Sequence, residues 1–400
     1  FTSASAVCVT GLVVVDTATY FTLAGKIVIL LLIQLGGLGV MTFSTMVLLA
    51  SGRSISISDR ILVQEGFHPG SPRDFKTLIK SIFFFTLIIE GTGFALLFLR
   101  FLQSQPWPKA LFSGLFHGVS AFCNAGFSVF SDNLMGFRGD VLVNLTVAFL
   151  IVFGGLGFLV IQEAVRAISR LIRGVKVKLS LHSKLVLTTT FALIFGSFFI
   201  FLALERNGAL KDFSWKEKIL TSFFQVVTPR TAGFNTINLT TLGTAAVLLL
   251  ILLMFIGASP GSTGGGVKTS TFGVTLAFIR SKLAARDSVH MFYSTLPQDN
   301  VIKAFTIMAL ALSLIFVSGF VVLINQPGML MKEVFFEVFS GFGTVGLSLG
   351  ITSGLSTLSK AMIVLTMYAG RIGPLTLLYA FSRRRALGRF EYVEENVMIG

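Results

Sequence analysis

Residues 342–350 read Phe-Gly-Thr-Val-Gly-Leu-Ser-Leu-Gly, and the same kind of short glycine segment occurs three more times in the chain. Aligned on one shared glycine, the four stretches are FTSASAVCVTGL (1–12), FHGVSAFCNAGF (116–127), FFQVVTPRTAGF (223–234) and FEVFSGFGTVGL (336–347). Their glycines, Gly11, Gly126, Gly233 and Gly346, stand 115, 107 and 113 residues apart. Solenoid repeats recur roughly every 20 to 50 residues, so this longer period predicts four large units instead.

What separates the segments is apolar. Hydrophobic residues make up 54% of the 400, charged residues 12%, and the mean hydropathy is +0.85, far more apolar surface than a soluble chain could bury. Runs of about 20 apolar residues, long enough to cross about 30 Å of hydrocarbon, recur between the segments. The chain reads as an all-α polytopic membrane protein whose first partner is the lipid bilayer. A net charge of +14 raises the possibility of nucleic acid, but the cations fall in alternate connections, which is a topology signal. Arg53, Arg60, Arg73, Lys76 and Lys80 share one connection; Arg166, Arg170, Arg173, Lys176, Lys178 and Lys184 the next; Arg280, Lys282 and Arg286 a third; Arg383, Arg384, Arg385 and Arg389 follow the last helix. These stretches are predicted cytoplasmic, with no nucleic-acid partner. The glycine segments, with Asp16, Asp132, Asp140, Asp212 and Glu333 on the same side, are predicted to face outside.

Each unit parses as an incoming helix, a half-helix ending in its glycine segment, and an outgoing helix. The first has a half-helix at 1–7 and an outgoing helix near 23–50; because Phe1 already lies in that half-helix, a preceding spanning helix is expected outside this chain. The second has helices near 74–102, 106–122 and 140–168, the third near 181–205, 214–227 and 240–280, and the fourth near 298–325, 331–342 and 355–385. The corresponding division is 1–50, 51–168, 169–286 and 287–385, with a tail at 386–400. The half-helices are too short to span and must enter and leave on one side.

Non-helical backbone at membrane depth is tolerated only where protein buries it or where it lines a water-filled cavity. Four such segments imply one shared cavity, and hence four pseudo-symmetric helix–pore-loop–helix repeats around one central ion pore. Glycine reaches left-handed angles without penalty, so flanking carbonyls can turn toward a common axis and replace the water shell of a cation. The candidate filter comprises Val9, Thr10 and Gly11; Asn124, Ala125 and Gly126; Thr231, Ala232 and Gly233; and Thr344, Val345 and Gly346. Half-helix C-termini aimed at that axis add attraction for a cation, and Asp16 and Asp132 raise the local cation concentration.

A second repeated feature lies in the outgoing helices: Gly36-Gly37-Leu38-Gly39, Gly154-Gly155-Leu156-Gly157, Ile256-Gly257-Ala258-Ser259 and Gly370-Arg371-Ile372-Gly373. Small residues there let backbones approach, and helix packing alone accounts for the first two. In the third unit Gly257, Ala258, Ser259, Pro260, Gly261, Ser262, Thr263, Gly264, Gly265 and Gly266 cannot remain helical, since each glycine costs about 1 kcal/mol and proline about 3. A phosphate-binding P-loop is excluded by Val267, which separates Gly266 from Lys268. A simple kink and a mobile gate beneath the filter are the two remaining readings. Arg371 takes the place of Gly37 and Gly155 at mid-bilayer depth, where charges are costly and usually functional. It either pairs structurally, with loop carbonyls or Glu90, or forms a positive barrier that also anchors the loop.

These features in register resemble the superfamily of K⁺ transporters that includes bacterial KtrB and TrkH and the plant HKT proteins, and within it the KtrB branch. The residues carrying the resemblance are the four filter segments, Gly-Ala-Ser-Pro-Gly-Ser-Thr-Gly-Gly-Gly-Val-Lys-Thr (257–269) and Tyr-Ala-Gly-Arg-Ile-Gly-Pro (368–374). The resemblance implies a pore in each subunit of a homodimer in the bacterial plasma membrane, and K⁺ as the transported ion with Na⁺ dependence in some members. It also implies a gate at residues 257–266 with Arg371, and a cytosolic nucleotide-binding RCK-type regulatory subunit. A serine at the first filter glycine accompanies Na⁺ transport in related proteins; here all four are glycine, which favours K⁺.

The competing reading is an obligatory Na⁺- or H⁺-coupled secondary transporter, suggested by the broken helix and by Glu90 within an apolar run. No nucleophile–base arrangement or metal spacing among His68, His117, His182 and His290 points to an enzyme, and no organic cofactor is expected. Cys8 and Cys123 read as buried thiols. Arg230 fits neither the filter nor the gate.

Overall fold

The computed structural model describes residues 1–39 and 72–373. The basic residues Arg53 and Arg60, the predicted helix ends at 40–50 and 374–385, and the tail with Arg383, Arg384, Arg385 and Arg389 lie outside the described residues. Among the described residues, β structure is confined to the hairpin His290–Met291 with Ser294–Thr295 and one bridge between Ile256 and Val267.

Three described helices are single, long and apolar enough to cross a membrane: Lys80–Phe101, Leu181–Glu205 and Gln298–Asn325. These are the predicted incoming helices, here outer helices 2, 3 and 4. Phe191, Phe195 and Phe199 on outer helix 3, and Phe316, Val317 and Phe320 on outer helix 4, are exposed, as lipid-facing side chains must be. The half-helices that follow are Trp107–Phe122, Trp215–Val227 and Met331–Phe342, with Thr2–Val7 in the same place at the start of the chain. Prolines at 106 and 108 start the second, where the missing N–H costs nothing. The third starts with a capping box between Ser214 and Glu217. Trp107 and Trp215, the only tryptophans, are exposed at these starts, the amphipathic placement expected of a membrane interface.

Inner helices Leu23–Leu38, Val141–Leu156, Thr244–Phe255 and Thr357–Ile372 complete the units. Thr22, Asp140 and Ser356 cap the first, second and fourth by accepting from the backbone N–H three residues on. Packing is cyclic: inner helix 1 contacts half-helix 2, inner helix 2 contacts half-helix 3, inner helix 3 contacts half-helix 4, and inner helix 4 contacts half-helix 1. At about 1.5 Å per residue, a half-helix of 12 to 16 residues reaches only about two-thirds of the way across hydrocarbon, so its C-terminus must be enclosed by protein.

The outgoing helices correct one expectation. The second, predicted as a single helix over 140–168, is two helices, Val141–Leu156 and Phe158–Ile172, bent by 104°. Gly157 makes the bend at φ +91°, and the Phe158 N–H donates out of the helix to the Gly261 carbonyl at 3.0 Å. Inner helices 1 and 4 likewise end at Leu38 and Ile372, before Gly39 (φ +81°) and Gly373 (φ +96°). In the first, second and fourth units the fourth residue of the small-residue motif therefore terminates a helix, which packing between helices alone does not require.

Candidate ion pathway

Each glycine segment begins where a half-helix runs out of hydrogen-bond partners. The last-turn hydroxyl residues Ser5, Ser120, Thr228 and Ser340 hold the chain that follows. Ser5 and Ser340 Oγ accept the Gly11 and Gly346 N–H at 3.0 Å, while Ser120 Oγ and Thr228 Oγ1 donate to the Phe127 and Phe234 carbonyls at 2.8 and 2.7 Å. The N–H groups of Thr10, Ala125 and Val345 turn back to the carbonyls of Ser5, Ser120 and Ser340 at 2.8 Å, and that of Ala232 to Thr228 at 2.9 Å. With these amides committed to the half-helices, the carbonyls are free to face elsewhere.

The backbone alternates in hand. Val9, Asn124, Thr231 and Thr344 have φ of +57°, +60°, +73° and +50°, and the shared glycines +91°, +67°, +80° and +93°, with a residue of negative φ between each pair. Non-glycine residues at positive φ carry strain that the surrounding packing must hold. Alternating hand sends successive carbonyls to the same side. The four segments then close on one another in order. A Cβ on Gly11 would lie 2.4 Å from the Ala125 carbonyl oxygen, on Gly126 2.5 Å from that of Ala232, on Gly233 2.1 Å from that of Val345, and on Gly346 2.2 Å from that of Thr10. Segments far apart in sequence thus form a ring, 1 to 2 to 3 to 4 and back to 1.

All four glycines line the floor of one outer cavity of about 510 Å³, with Asp16 and Asp132 in its walls. Asp16 bridges two units by accepting from Ser131 Oγ at 2.7 Å. Partial burial pushes its carboxyl up, but hydrogen bonds from Ser131, Ala18 and Thr19, with Lys26 nearby, more than offset this and hold it below the ordinary aspartate value.

On the opposite side of the ring sits the chain between Thr244–Phe255 and Thr269–Leu283. The predicted gate residues are folded into it. Toward the second unit, the Ser259 and Thr263 N–H groups donate to the Gly155 and Gly154 carbonyls at 2.9 and 3.1 Å, and Thr263 Oγ1 donates to Phe122 at 3.1 Å. Toward the fourth, the Gly265 N–H donates to Thr344 Oγ1 at 2.9 Å and the Gly266 N–H to the Gly370 carbonyl at 3.1 Å. Gly264 and Gly265 lie directly under the ring: Cβ atoms there would come within 2.1 Å of Thr231 Oγ1 and 2.5 Å of Thr344 Oγ1. Arg371 donates to the Thr263 carbonyl and to the Gly36 carbonyl, tying the loop to the first and fourth units. Lys268, which sequence reasoning did not single out, donates to the Gly264 carbonyl at 2.7 Å.

Glu90 is not Arg371's partner. It accepts from Gln34 Nε2 at 3.4 Å and from Cys123 Sγ at 3.7 Å, beside the second half-helix. Arg230 is buried and donates to Thr190 Oγ1 on outer helix 3 at 3.2 Å, so it braces the third segment from behind. Cys8 and Cys123 are buried free thiols. His117 is buried in its half-helix between Ser113 and Ser128, and no cluster of metal-ligating side chains occurs among the described residues. The bracing hydroxyls escaped sequence reasoning although their signal was available: Ser5, Ser120 and Ser340 stand six residues before their glycines, and Thr228 five.

Comparison with known proteins identifies the family. The chain is 40% identical over 385 residues to Ktr system potassium uptake protein B of Bacillus subtilis, covering 96% of this chain and 85% of that one. It is 39% identical to the protein of the same name from Vibrio alginolyticus over 100% and 87% of the two chains, and 36% identical to the potassium/sodium uptake protein NtpJ of Enterococcus hirae over 100% and 89%. The crystal structure of the potassium transporter TrkH from Vibrio parahaemolyticus shares the fold at a TM-score of 0.74 and 19% identity, covering 94% of this chain and 76% of that one. The profile of the TrkH cation transport proteins matches residues 1–387, and with the full-length relatives it establishes that this chain belongs to the TrkH family of cation transport proteins, a family of transporters rather than enzymes.

Proposed function

We propose that this multi-pass membrane protein is the K⁺-translocating subunit of a K⁺ uptake system in the plasma membrane, a channel-like pore selective by backbone carbonyls and closed by an intramembrane loop. The observation that carries the reading is the ring in which each shared glycine abuts the next segment's carbonyl. In it the carbonyls of Thr10, Ala125, Ala232 and Val345, with their neighbours in the twelve filter residues, replace the hydration shell of K⁺. The half-helix C-termini contribute negative potential at the same place. The units run 1–50, 51–168, 169–286 and 287–385, followed by residues 386–400.

Residues 257–266 are the gate. Loop backbone across the inner face of the ring, held by Arg371, blocks an ion leaving the filter and places a positive charge under it. The names of the relatives support K⁺ as the ion, Na⁺ as a modulator, and the membership of a multi-component system. The family resemblance supports a homodimer opened by a cytosolic RCK-type subunit. Flow is down the electrochemical gradient, with no organic cofactor. Engagement of Glu90 by Gln34 and Cys123 supports a structural role for it over a coupling-ion site.

The deciding measurement is ⁸⁶Rb⁺ uptake into proteoliposomes with and without Na⁺ and proton gradients. Persistent uptake with neither gradient is expected; uptake that stops without one of them would replace this reading with an obligatory coupled transporter.

A further inference from the structure

Behind the ring, the half-helices carry a polar residue one turn before the bracing hydroxyl: Thr2, His117, Gln225 and Glu337. Three of these are buried in the described structure at 0%, 0% and 1% exposure, His117, Gln225 and Glu337 respectively. A buried polar group without a partner is costly, so each needs an account. Gln225 has no hydrogen-bond partner at either polar atom among the described residues. His117 does at both ring nitrogens, and Glu337 does at Oε1 but not at Oε2, and the partners of the two correspond.

His117 Nδ1 lies 2.7 Å from the Ser113 carbonyl, which only accepts, so Nδ1 carries the proton and Nε2 is an acceptor. The Ser128 hydroxyl, 2.9 Å away, donates to Nε2, and Ser128 Oγ in turn accepts the Phe130 N–H at 3.0 Å. In the fourth unit Glu337 Oε1 accepts from Thr352 Oγ1; Ser348 Oγ lies 3.1 Å from Thr352 Oγ1 and accepts the Gly350 N–H at 2.9 Å. Ser128 and Ser348 are both two residues beyond their shared glycines, and both line the outer cavity. At this position the first and third units carry Val13 and Asn235. By the order of the ring, the second and fourth units face each other across the axis.

We propose that His117 and Glu337 are positioning residues for ion discrimination at the outer end of the filter, the buried acceptors of two hydrogen-bonded relays that reach the cavity through Ser128 and through Thr352 and Ser348. The relays fix the backbone that leaves Gly126 and Gly346, and so the outermost carbonyls, on two opposite walls. The proposal rests on the filter reading above. What the half-helix position must supply is an acceptor, and charge there is secondary.

The test is binding and flux of K⁺ against Na⁺, measured as competition with ⁸⁶Rb⁺ on purified full-length protein in proteoliposomes. Glu337→Val, Thr352→Val and Ser348→Ala each lower the preference for K⁺ over Na⁺ about fivefold, the size of one net hydrogen bond. Glu337→Gln keeps it, because its amide oxygen still accepts from Thr352. Where Glu337→Val fails to fold, Ser348→Ala and Ser128→Ala, at the cavity wall, give the same reading. Preference equal to wild type in both serine variants overturns the proposal, as does a loss in Glu337→Gln equal to that in Glu337→Val. A wild-type protein that does not distinguish K⁺ from Na⁺ sinks the filter reading itself, a separate outcome.

Discussion

The shared glycines are set by two requirements at once: positive φ, and a neighbouring carbonyl where a side chain would be. At Gly11 the angle is +91° and a Cβ would sit 2.4 Å from the Ala125 oxygen. Serine there displaces that carbonyl, so Gly11→Ser is expected to reduce K⁺ over Na⁺ selectivity about tenfold or more without preventing assembly, read by Na⁺ competition against ⁸⁶Rb⁺ uptake. Asp16 acts at longer range. Its carboxyl titrates below the ordinary value, so the mouth keeps this charge as the pH falls, and the contact with Ser131 contributes stability above the unfolded pKa that is lost only as pH drops through the lower folded value. Uptake is expected to be level from about pH 7 to 5 as far as Asp16 governs it. Asp16→Asn should weaken apparent K⁺ affinity about twofold at either pH, with the difference vanishing in high salt, where screening is strong; a deficit that survives in high salt would contradict a purely electrostatic role.

At the scale of elements, the proposed gate is a negotiation between a helix that cannot continue and three neighbours that satisfy its backbone. The hydrogen bonds from Ser259, Thr263, Gly265 and Gly266 reach the second and fourth units, and Arg371 adds the first. Removing the guanidinium leaves the Thr263 and Gly36 carbonyls without their partner and removes a positive charge under the filter. Arg371→Ala, and separately deletion of part of residues 261–266, should each raise ⁸⁶Rb⁺ flux severalfold in correctly inserted protein; unchanged flux in both would remove the gate assignment. Gly157 is a second lever. A Cβ there would meet the Pro260 carbonyl at 2.5 Å at φ +91°, so Gly157→Ala should loosen the loop and raise flux with the same sign, detected as faster hydrogen exchange at residues 257–266.

On the proposed reading, the molecule binds its ion only when all four segments are assembled, because no unit contributes a complete carbonyl cage. An ion bound to the folded ring alone stabilises by linkage, about 2.7 kcal/mol at a hundredfold excess over the dissociation constant. Thermal unfolding in detergent is therefore expected to shift upward with K⁺ or Rb⁺ and less with Na⁺, and the shift should be lost in Gly233→Ala, whose Cβ would lie 2.1 Å from the Val345 oxygen. Equal shifts with K⁺ and Na⁺ would argue against selective carbonyl binding. At this scale sequence and structure divide along physical lines. Periodic apolarity and the alternating placement of basic residues determined by themselves that the chain is a helical membrane protein, and the fourfold Gly11, Gly126, Gly233 and Gly346 pattern pointed to four similar units, because span length and backbone freedom are local properties. The break at 257–266 was legible for the same reason: glycine and proline oppose a helix wherever they stand. The break at Gly157 was not, since a lone glycine in an apolar run ends a helix only when another backbone, here Gly261, receives the freed N–H. The cyclic order of the ring, the partners of Arg371 and Glu90, the place of Arg230 and the relays from His117 and Glu337 were decided by tertiary structure alone, because each depends on which residues from different helices, or from opposite sides of a turn, are brought within hydrogen-bonding distance.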